Sequence, residues 1–329
     1  MHEPAFWWRK AGQKAGFASG LLAPAAACYG AIAARRMARP GARAGVPVIC
    51  VGNFTLGGAG KTPAAMWLAK MLEYAGEKPF CLSRGYGGSL AGPQRVDPKL
   101  DGAAQVGDEA LLLARVASTI VSHDRVAGAE AARVAGASAV VMDDGLQNAS
   151  LAKDFTLAVV DGRHGIGNAR VFPAGPLRAP LAAQLAKTDA LLVVGDGDIG
   201  IQSDLPVFHG RLVPDTAAVT ALQARPVLAF AGIGDPDKFF ATAETARITV
   251  VQRKPFPDHH RFTAAEAADL IMRAEHEGLA LLTTEKDRAR MTGEPLLAAL
   301  AAKSYVLPVT LVVEEADALR RLVLGKIRR

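Results

Sequence analysis

Cysteine is scarce in this 329-residue chain: Cys28, Cys50 and Cys81 only, without the spacing of a metal site. That excludes a disulfide framework, and two of the three thiols fall in apolar runs, as reduced cytosolic cysteines do. Aromatic residues make up 6% of the chain. No basic run with interleaved aromatics occurs beyond residue 40, which argues against nucleic acid as the partner. Internal repeats are absent, so a repeat architecture is excluded. What remains is ordinary for a globular protein, 50% hydrophobic and 21% charged, long enough for two domains with sizeable cores. The net charge of +6 and a pI near 9.3 suit an anionic partner, a nucleotide or an acidic lipid.

The stretch that organises the rest is Val46 to Pro63. A β-branched run ends in glycine-rich sequence, and Gly60-Lys61-Thr62 then opens a helical pattern from Pro63 to Leu72. This is the strand–loop–helix order of a phosphate-binding loop. Glycines let backbone N–H groups close around phosphate oxygens, and the helix N-terminus adds partial positive charge. Lys61 can reach the β- and γ-phosphates, the Thr62 hydroxyl can ligate Mg²⁺, and Pro63 sits where a missing N–H costs nothing. Thr55 stands where the strict pattern has glycine, and Gly57, Gly58 and Ala59 supply the loop instead. The loop thus predicts ATP with Mg²⁺.

Around this loop the pattern predicts an α/β protein of the P-loop NTPase type, a parallel sheet covered by helices on both faces. Strands are expected at 78–83, 119–121, 139–142, 155–160 and 190–194, with residues 89–107 as a loop over the site. Near Leu205 the alternation breaks, and residues 206–225 read as a two-stranded connection. A second, smaller α/β domain is expected over 226–329, with strands near 248–251, 279–283 and 305–313. The first domain spans 41–205.

Residues 1–40 read differently. Phe6, Trp7 and Trp8 precede Arg9, Lys10 and Lys14, residues 15–34 carry no charge, and Arg35, Arg36 and Arg39 follow. A signal peptide would export the nucleotide site. A spanning helix is disfavoured by the Ala/Gly content, by Pro24 and by basic residues on both sides. An interfacial helix, with tryptophans at headgroup depth and cations on anionic lipid, fits best. A helix packed on the protein's own core is the alternative.

Three further constellations carry chemistry. Val140 to Gly145 is an apolar strand that empties into Asp143 and Asp144, where a carboxylate faces Mg²⁺ in a phosphate-loop fold. Asp108-Glu109 opens a helix and reads either as a cap or as an acceptor for a hydroxyl proton. Asp258-His259-His260 offers one histidine to a cleft and keeps one for structure. No Cys/His cluster accompanies it for a metal.

Taken together these motifs resemble those of the tetraacyldisaccharide 4′-kinases, the lipid A pathway kinases of Gram-negative bacteria. The resemblance rests on Val51-Gly52-Asn53, Gly57 through Pro63, Ser83-Arg84-Gly85-Tyr86-Gly87, Gly107-Asp108-Glu109, Asp143-Asp144-Gly145-Leu146-Gln147, Gly175-Pro176-Leu177-Arg178 and Phe256-Pro257-Asp258-His259. It runs through both expected domains. It implies transfer of the γ-phosphate of ATP, with Mg²⁺, to the 4′-hydroxyl of a tetraacyldisaccharide 1-phosphate. The setting it implies is the cytoplasmic face of the inner membrane, with a membrane-associated N-terminal helix. By the family pattern Asp108 is the catalytic base and His259 its partner, with Lys61 on phosphate. Thr62, Asp143 and Asp144 then hold the metal, and Asn53, Arg84, Tyr86, Gln147 and Arg178 contact substrate. Leu146 stands where the family often has Phe. Ala179 follows Arg178 where Glu is expected, which leaves the Arg–Glu contribution at the substrate side open.

Two rival classes are weighed against this. A soluble phosphate-loop ligase that phosphorylates a carboxylate, like dethiobiotin synthetase, would not need the tryptophan-led N-terminus. A nucleotide-switched binding module would carry an Asn-Lys-x-Asp guanine signature. The nearest approach, Thr284-Glu285-Lys286-Asp287, lacks the asparagine.

Overall fold

The computed structural model describes residues 4–9 and 17–328. Lys10 and Lys14, two of the N-terminal cations singled out above, lie outside the described residues.

Eight strands come first: β1 (Val48–Gly52), β2 (Pro79–Ser83), β3 (Gln94–Arg95), β4 (Ser118–Val121), β5 (Ala139–Asp143), β6 (Phe155–Asp161), β7 (Ala190–Val194) and β8 (Val207–Pro214). The chain then forms β9 (Val227–Ala231), β10 (Val250–Pro255), β11 (Ala280–Thr283) and β12 (Ser304–Val306), and ends its strands with β13 (Val309–Val313). The large sheet has the order β13-β8-β7-β6-β1-β5-β2-β4-β3, and the small one β10-β9-β11-β12. All neighbours are parallel except β3 on β4 and β13 on β8.

The parallel strands are apolar because both faces are covered. β1, β5 and β7 are buried at every position. The helix Lys61–Tyr74 turns Ala65, Leu68 and Leu72 into a core with Ile49, Val141 and Leu157. Leu68 is fully buried there, so Leu68→Ala is expected to cost about 2–5 kcal/mol. In the small unit, Thr263 and Glu266 close a capping box on the helix Ala264–Glu277, which ends at Gly278 in the left-handed region, φ +65°.

Four expectations differ from the observed fold. The two-stranded connection over 206–225 is a single strand, β8, that extends the large sheet, followed by the helix Thr216–Leu222. The single strand expected at 305–313 is two strands in two sheets. Pro308 cannot donate to a ladder, so pairing stops and the chain crosses back to β8. The C-terminal part placed in the small domain therefore packs on the first core through Leu311, Val313, Leu319 and Val323. Residues 89–107 contain β3 and the helix Ala103–Val106 rather than loop alone.

The N-terminus is corrected in part. No helix of the described residues is long and apolar enough to cross a membrane. Trp7 is not presented outward: it is buried, its Nε1–H donates to the Pro173 carbonyl at 3.1 Å, and its ring meets Phe172 edge-on. Trp8 lies against His164 with ring centres 4.5 Å apart. The helix Ala23–Met37 buries Ala26, Gly30 and Met37 against the protein and exposes Tyr29, Ile32, Arg35 and Arg36.

Candidate active site

The parallel register sets the site. Val51 lies opposite Asp143, so the acid that ends β5 stands beside the mouth of the loop that follows β1. The loop turns through Gly57 (φ +97°) and Gly60 (φ +92°), left-handed conformations that favour glycine, and Gly60 caps the helix that begins at Lys61. Thr62 Oγ1 donates to Asp143 Oδ2 at 3.4 Å, while Asp143 Oδ1 is buried without a hydrogen-bond partner among the described residues. Burial, reinforced by the charges of Glu109 and Asp144, pushes the Asp143 pKa up to about 7. Burial also lowers the pKa of the Lys61 ammonium, against the upward pull of Asp144. Lys61 Nζ lies 3.3 Å from Asn53 Oδ1 and 3.8 Å from Asp144 Oδ2.

Several side chains expected at the substrate brace the loop. Arg178 donates from Nη1 to both oxygens of Asp144, at 3.0 and 3.1 Å, and from Nε to the Thr55 carbonyl at 2.8 Å. Asn53 is fully buried and donates to the Thr55 carbonyl. Gln147 donates to the Asn53 carbonyl and to Gln184. Asp144, expected on the metal, has both oxygens on Arg178, and those bonds with Lys61 hold it low against burial. Ala179 is part of the core, and Arg178 keeps its place without a glutamate beside it. Arg84 and Tyr86 remain exposed at the cleft.

Across the cleft the small unit supplies the second half. The helix Asp108–Ala114 is capped by Gly107, and Asp108 and Glu109 stand in its first turn, where a carboxylate suits the helix N-terminus. Its carboxylate, 3% exposed, receives Arg290 Nε at 3.0 Å and Arg290 Nη2, both on Oδ2. His259 Nδ1 lies 3.6 Å from Oδ1. Burial alone would raise the Asp108 carboxyl, but His259, Arg290 and Lys286 outweigh it and hold it well below the usual carboxylate range. Burial pushes the His259 imidazole down, and Asp108 with Asp258 reverses this, so its pKa ends above the ordinary value. Tyr86 packs edge-on against His259 at 4.7 Å, and Arg261 donates to the Gly87 carbonyl. His260 has the structural role, bonded to Glu266 and stacked on Phe256.

The sequence motifs did not single out Arg290, nor the pairing of Lys286 with Glu109 at 2.7 Å. The signal was present in Thr284-Glu285-Lys286-Asp287, a Thr-x-x-Asp cap after an apolar strand, in which Thr284 Oγ1 receives the Asp287 N–H. Beside the loop, a cavity of about 390 Å³ opens between the ends of β6, β7 and β8 and the helix Pro236–Thr245. Asp161, Asp196, Leu212 and Lys238 are among its walls.

Residues 18–328 match the family described as tetraacyldisaccharide-1-P 4′-kinase. A tetraacyldisaccharide 4′-kinase of Nitrobacter winogradskyi is 51% identical, with 100% of this chain and 99% of the relative covered. One from a Methylobacterium species is 55% identical, with 97% and 95% covered. Among solved structures, that of LpxK from Aquifex aeolicus in complex with ATP superposes with a TM-score of 0.74 at 25% identity, covering 94% of this chain and 99% of that one.

Proposed function

The chain belongs to the tetraacyldisaccharide 4′-kinase family, and from that premise we propose how its residues divide the work. The enzyme is an ATP-dependent kinase of lipid A biosynthesis. It transfers the γ-phosphate to the 4′-hydroxyl of a tetraacyldisaccharide 1-phosphate.

The assignment of roles rests on one observation: Lys61, Thr62 and Asp143 converge at the loop, and Asp108 meets His259 across the cleft beside it. The phosphates of ATP lie on the N–H groups of residues 57–62, and the nucleoside runs toward the cavity at the ends of β6 to β8. Lys61 stabilises charge on the transferring phosphoryl oxygens. The Thr62 hydroxyl and Asp143, whose Oδ1 lacks any partner, fit Mg²⁺, which takes one or two protein oxygens beside phosphate and water. When bound there it supplies charge neutralisation on the β- and γ-phosphates. Asp144 with Arg178 sets the loop and Lys61 rather than the metal itself. Asp108, oriented by His259, accepts the proton of the attacking hydroxyl, and Arg84 and Tyr86 face the sugar from the open side. The outward face of the helix Ala23–Met37, with Tyr29 and Ile32 ahead of Arg35 and Arg36, suits the cytoplasmic surface of an anionic inner membrane.

The test is incubation with ATP, Mg²⁺ and a tetraacyldisaccharide monophosphate, followed by mass analysis. A bisphosphorylated lipid is expected, formed by the wild type and lost in Lys61→Ala. Turnover of a folded Lys61→Ala protein at the wild-type rate would refute the roles given to the loop. For the membrane face, Tyr29→Ser with Ile32→Ser should reduce sedimentation with anionic vesicles and leave ATP binding intact. Unchanged sedimentation would refute that face.

A further inference from the structure

Arg290 ends the short helix Glu285–Arg290 of the small unit and is almost wholly buried, its side chain 7% exposed. Its guanidinium is used on two sides. Nη1 is anchored at home, donating to the Gly232 carbonyl at 2.7 Å and to Asp287 Oδ1 at 3.0 Å. Asp287 is itself fixed, accepting the Gly232 N–H at 3.1 Å and the Thr284 hydroxyl. The other edge of the fork, Nε and Nη2, reaches across the cleft to Asp108 in the large unit. Both donors fall on the same oxygen, Oδ2. Other ion pairs already join the units, Lys286 with Glu109 and Arg115 with Glu285, so docking alone does not require this one.

We propose that Arg290 is a positioning residue for the proton-accepting pair: by filling Oδ2 of Asp108 it leaves Oδ1 as the oxygen turned to His259. The pair is then assembled only while the two units are docked, because its orienting groups come from the far side of the cleft. This rests on the role proposed above for Asp108. A guanidinium is suited to the task, since two N–H donors of one planar group converge on Oδ2 and hold that oxygen in place more firmly than a single ammonium on a flexible stem.

The groups that face Asp108 are few. His259 approaches from the loop after β10 with Tyr86 behind it, and Arg290 and Lys286 come from one short helix with Asp287 behind Arg290. Glu109 is next along its own helix and is paired with Lys286. Arg290 is a permanent cation, and with His259 and Lys286 it holds the Asp108 carboxyl low against burial. Its loss raises the carboxyl toward its ordinary range and raises His259 further, because Arg290 opposes the protonated imidazole. Activity that requires an ionised Asp108 must then fail at a higher pH than in the wild type.

The experiment is steady-state kinetics with ATP, Mg²⁺ and the disaccharide monophosphate, from about pH 3 to about pH 9, with melting curves at each pH as a check on folding. Arg290→Gln should lower kcat about 10–10²-fold near neutral pH, leave both KM values within about twofold, and move the acid limb up by about one unit or more. Arg290→Lys should restore the limb but not the full rate. In an Asp108→Ala background, Arg290→Gln should cost less than about twofold more, since residues acting as one unit are non-additive. A loss equal at every pH, a change confined to KM, or multiplicative losses in the double variant would overturn the proposal and leave Arg290 a docking contact. Asp108→Ala at near wild-type rate overturns the role of Asp108 and this proposal together. A defective Asp108→Ala with an unshifted Arg290→Gln limb overturns this proposal alone. If Arg290→Gln does not fold, Arg290→Lys decides: reduced kcat at constant KM supports the proposal, and unchanged kcat overturns it.

Discussion

Asp143 and Asp108 are carboxylates of equal exposure, 3% each, on the same α/β unit, and their surroundings are opposite. Asp143, on the loop side, keeps one oxygen without a partner, and its pKa is pushed up by burial and neighbouring acids. Asp108, on the cleft side, has both oxygens engaged, and its pKa is held down against burial by an imidazole and two cations. The first carries the role proposed above for the metal. The second has its charge delivered by the other unit. On the proposed roles, one half of the site is completed by small molecules and the other half by the protein's own docking.

Breaking the cleft side should have the largest effect. Asp108→Ala and His259→Ala are each expected to lower kcat about 10²–10⁴-fold with ATP affinity nearly constant. The double variant should be little worse than the poorer single one. Turnover assays with nucleotide-binding titrations decide this, and fully multiplicative losses would return the two residues to packing roles. On the loop side, Lys61→Ala should lower kcat about 10²–10³-fold, because a positioned charge is removed from the transferring phosphoryl group.

The comparison sharpens in stability rather than rate at Asp143. A carboxyl whose folded pKa is raised gives stability that is present below its unfolded pKa near 3.8 and lost as pH rises through about 7. Asp143→Asn should accordingly raise the Tm of the metal-free protein by about 2–4 °C at pH 8, and should bring no such gain near pH 4. Calorimetry at the two pH values checks the sign, and a destabilised variant at pH 8 would contradict the reading. The smallest effect belongs to the rim of the cleft. Arg115 is half exposed where it meets Glu285 at 2.9 Å, so Arg115→Ala should cost less than about 0.5 kcal/mol by urea melting. A loss comparable to that of a buried pair would mean that the rim, too, carries docking energy.

The loop half was legible because its parts are contiguous. A β-branched run, glycines and Gly60-Lys61-Thr62 follow one another, and local chemistry is enough to read them. The cleft half depends on partners 151 and 182 residues apart, Asp108 with His259 and with Arg290, which no local pattern connects. From the residues alone Asp108 read either as a cap or as a proton acceptor, and only the family resemblance favoured the second and joined it to His259. Trp7 shows the same limit: its bond to the Pro173 carbonyl spans 166 residues, so an aromatic beside cations looked like a lipid-facing group. Asn53, Gln147 and Arg178 belong to recognisable motifs, but a motif does not say whether a polar side chain faces the ligand or holds the loop that does.

The return of the chain to the large sheet through β13 bears on how the protein is made. Leu311, Val313, Leu319, Val323 and Ile327 fill the same core as Ile49 and Leu68, and β13 pairs with β8 from nearly a hundred residues earlier. On the ribosome, the large sheet emerges first but lacks one wall of its core until the helix Ala316–Ile327 has been synthesised. The small unit, with both of its cores contained between Ala218 and Leu307, has all of its parts sooner. Domains fold as units once their sequence is out. The nucleotide-binding half is thus the later of the two to have all of its parts, because its core needs β13 and the helix Ala316–Ile327.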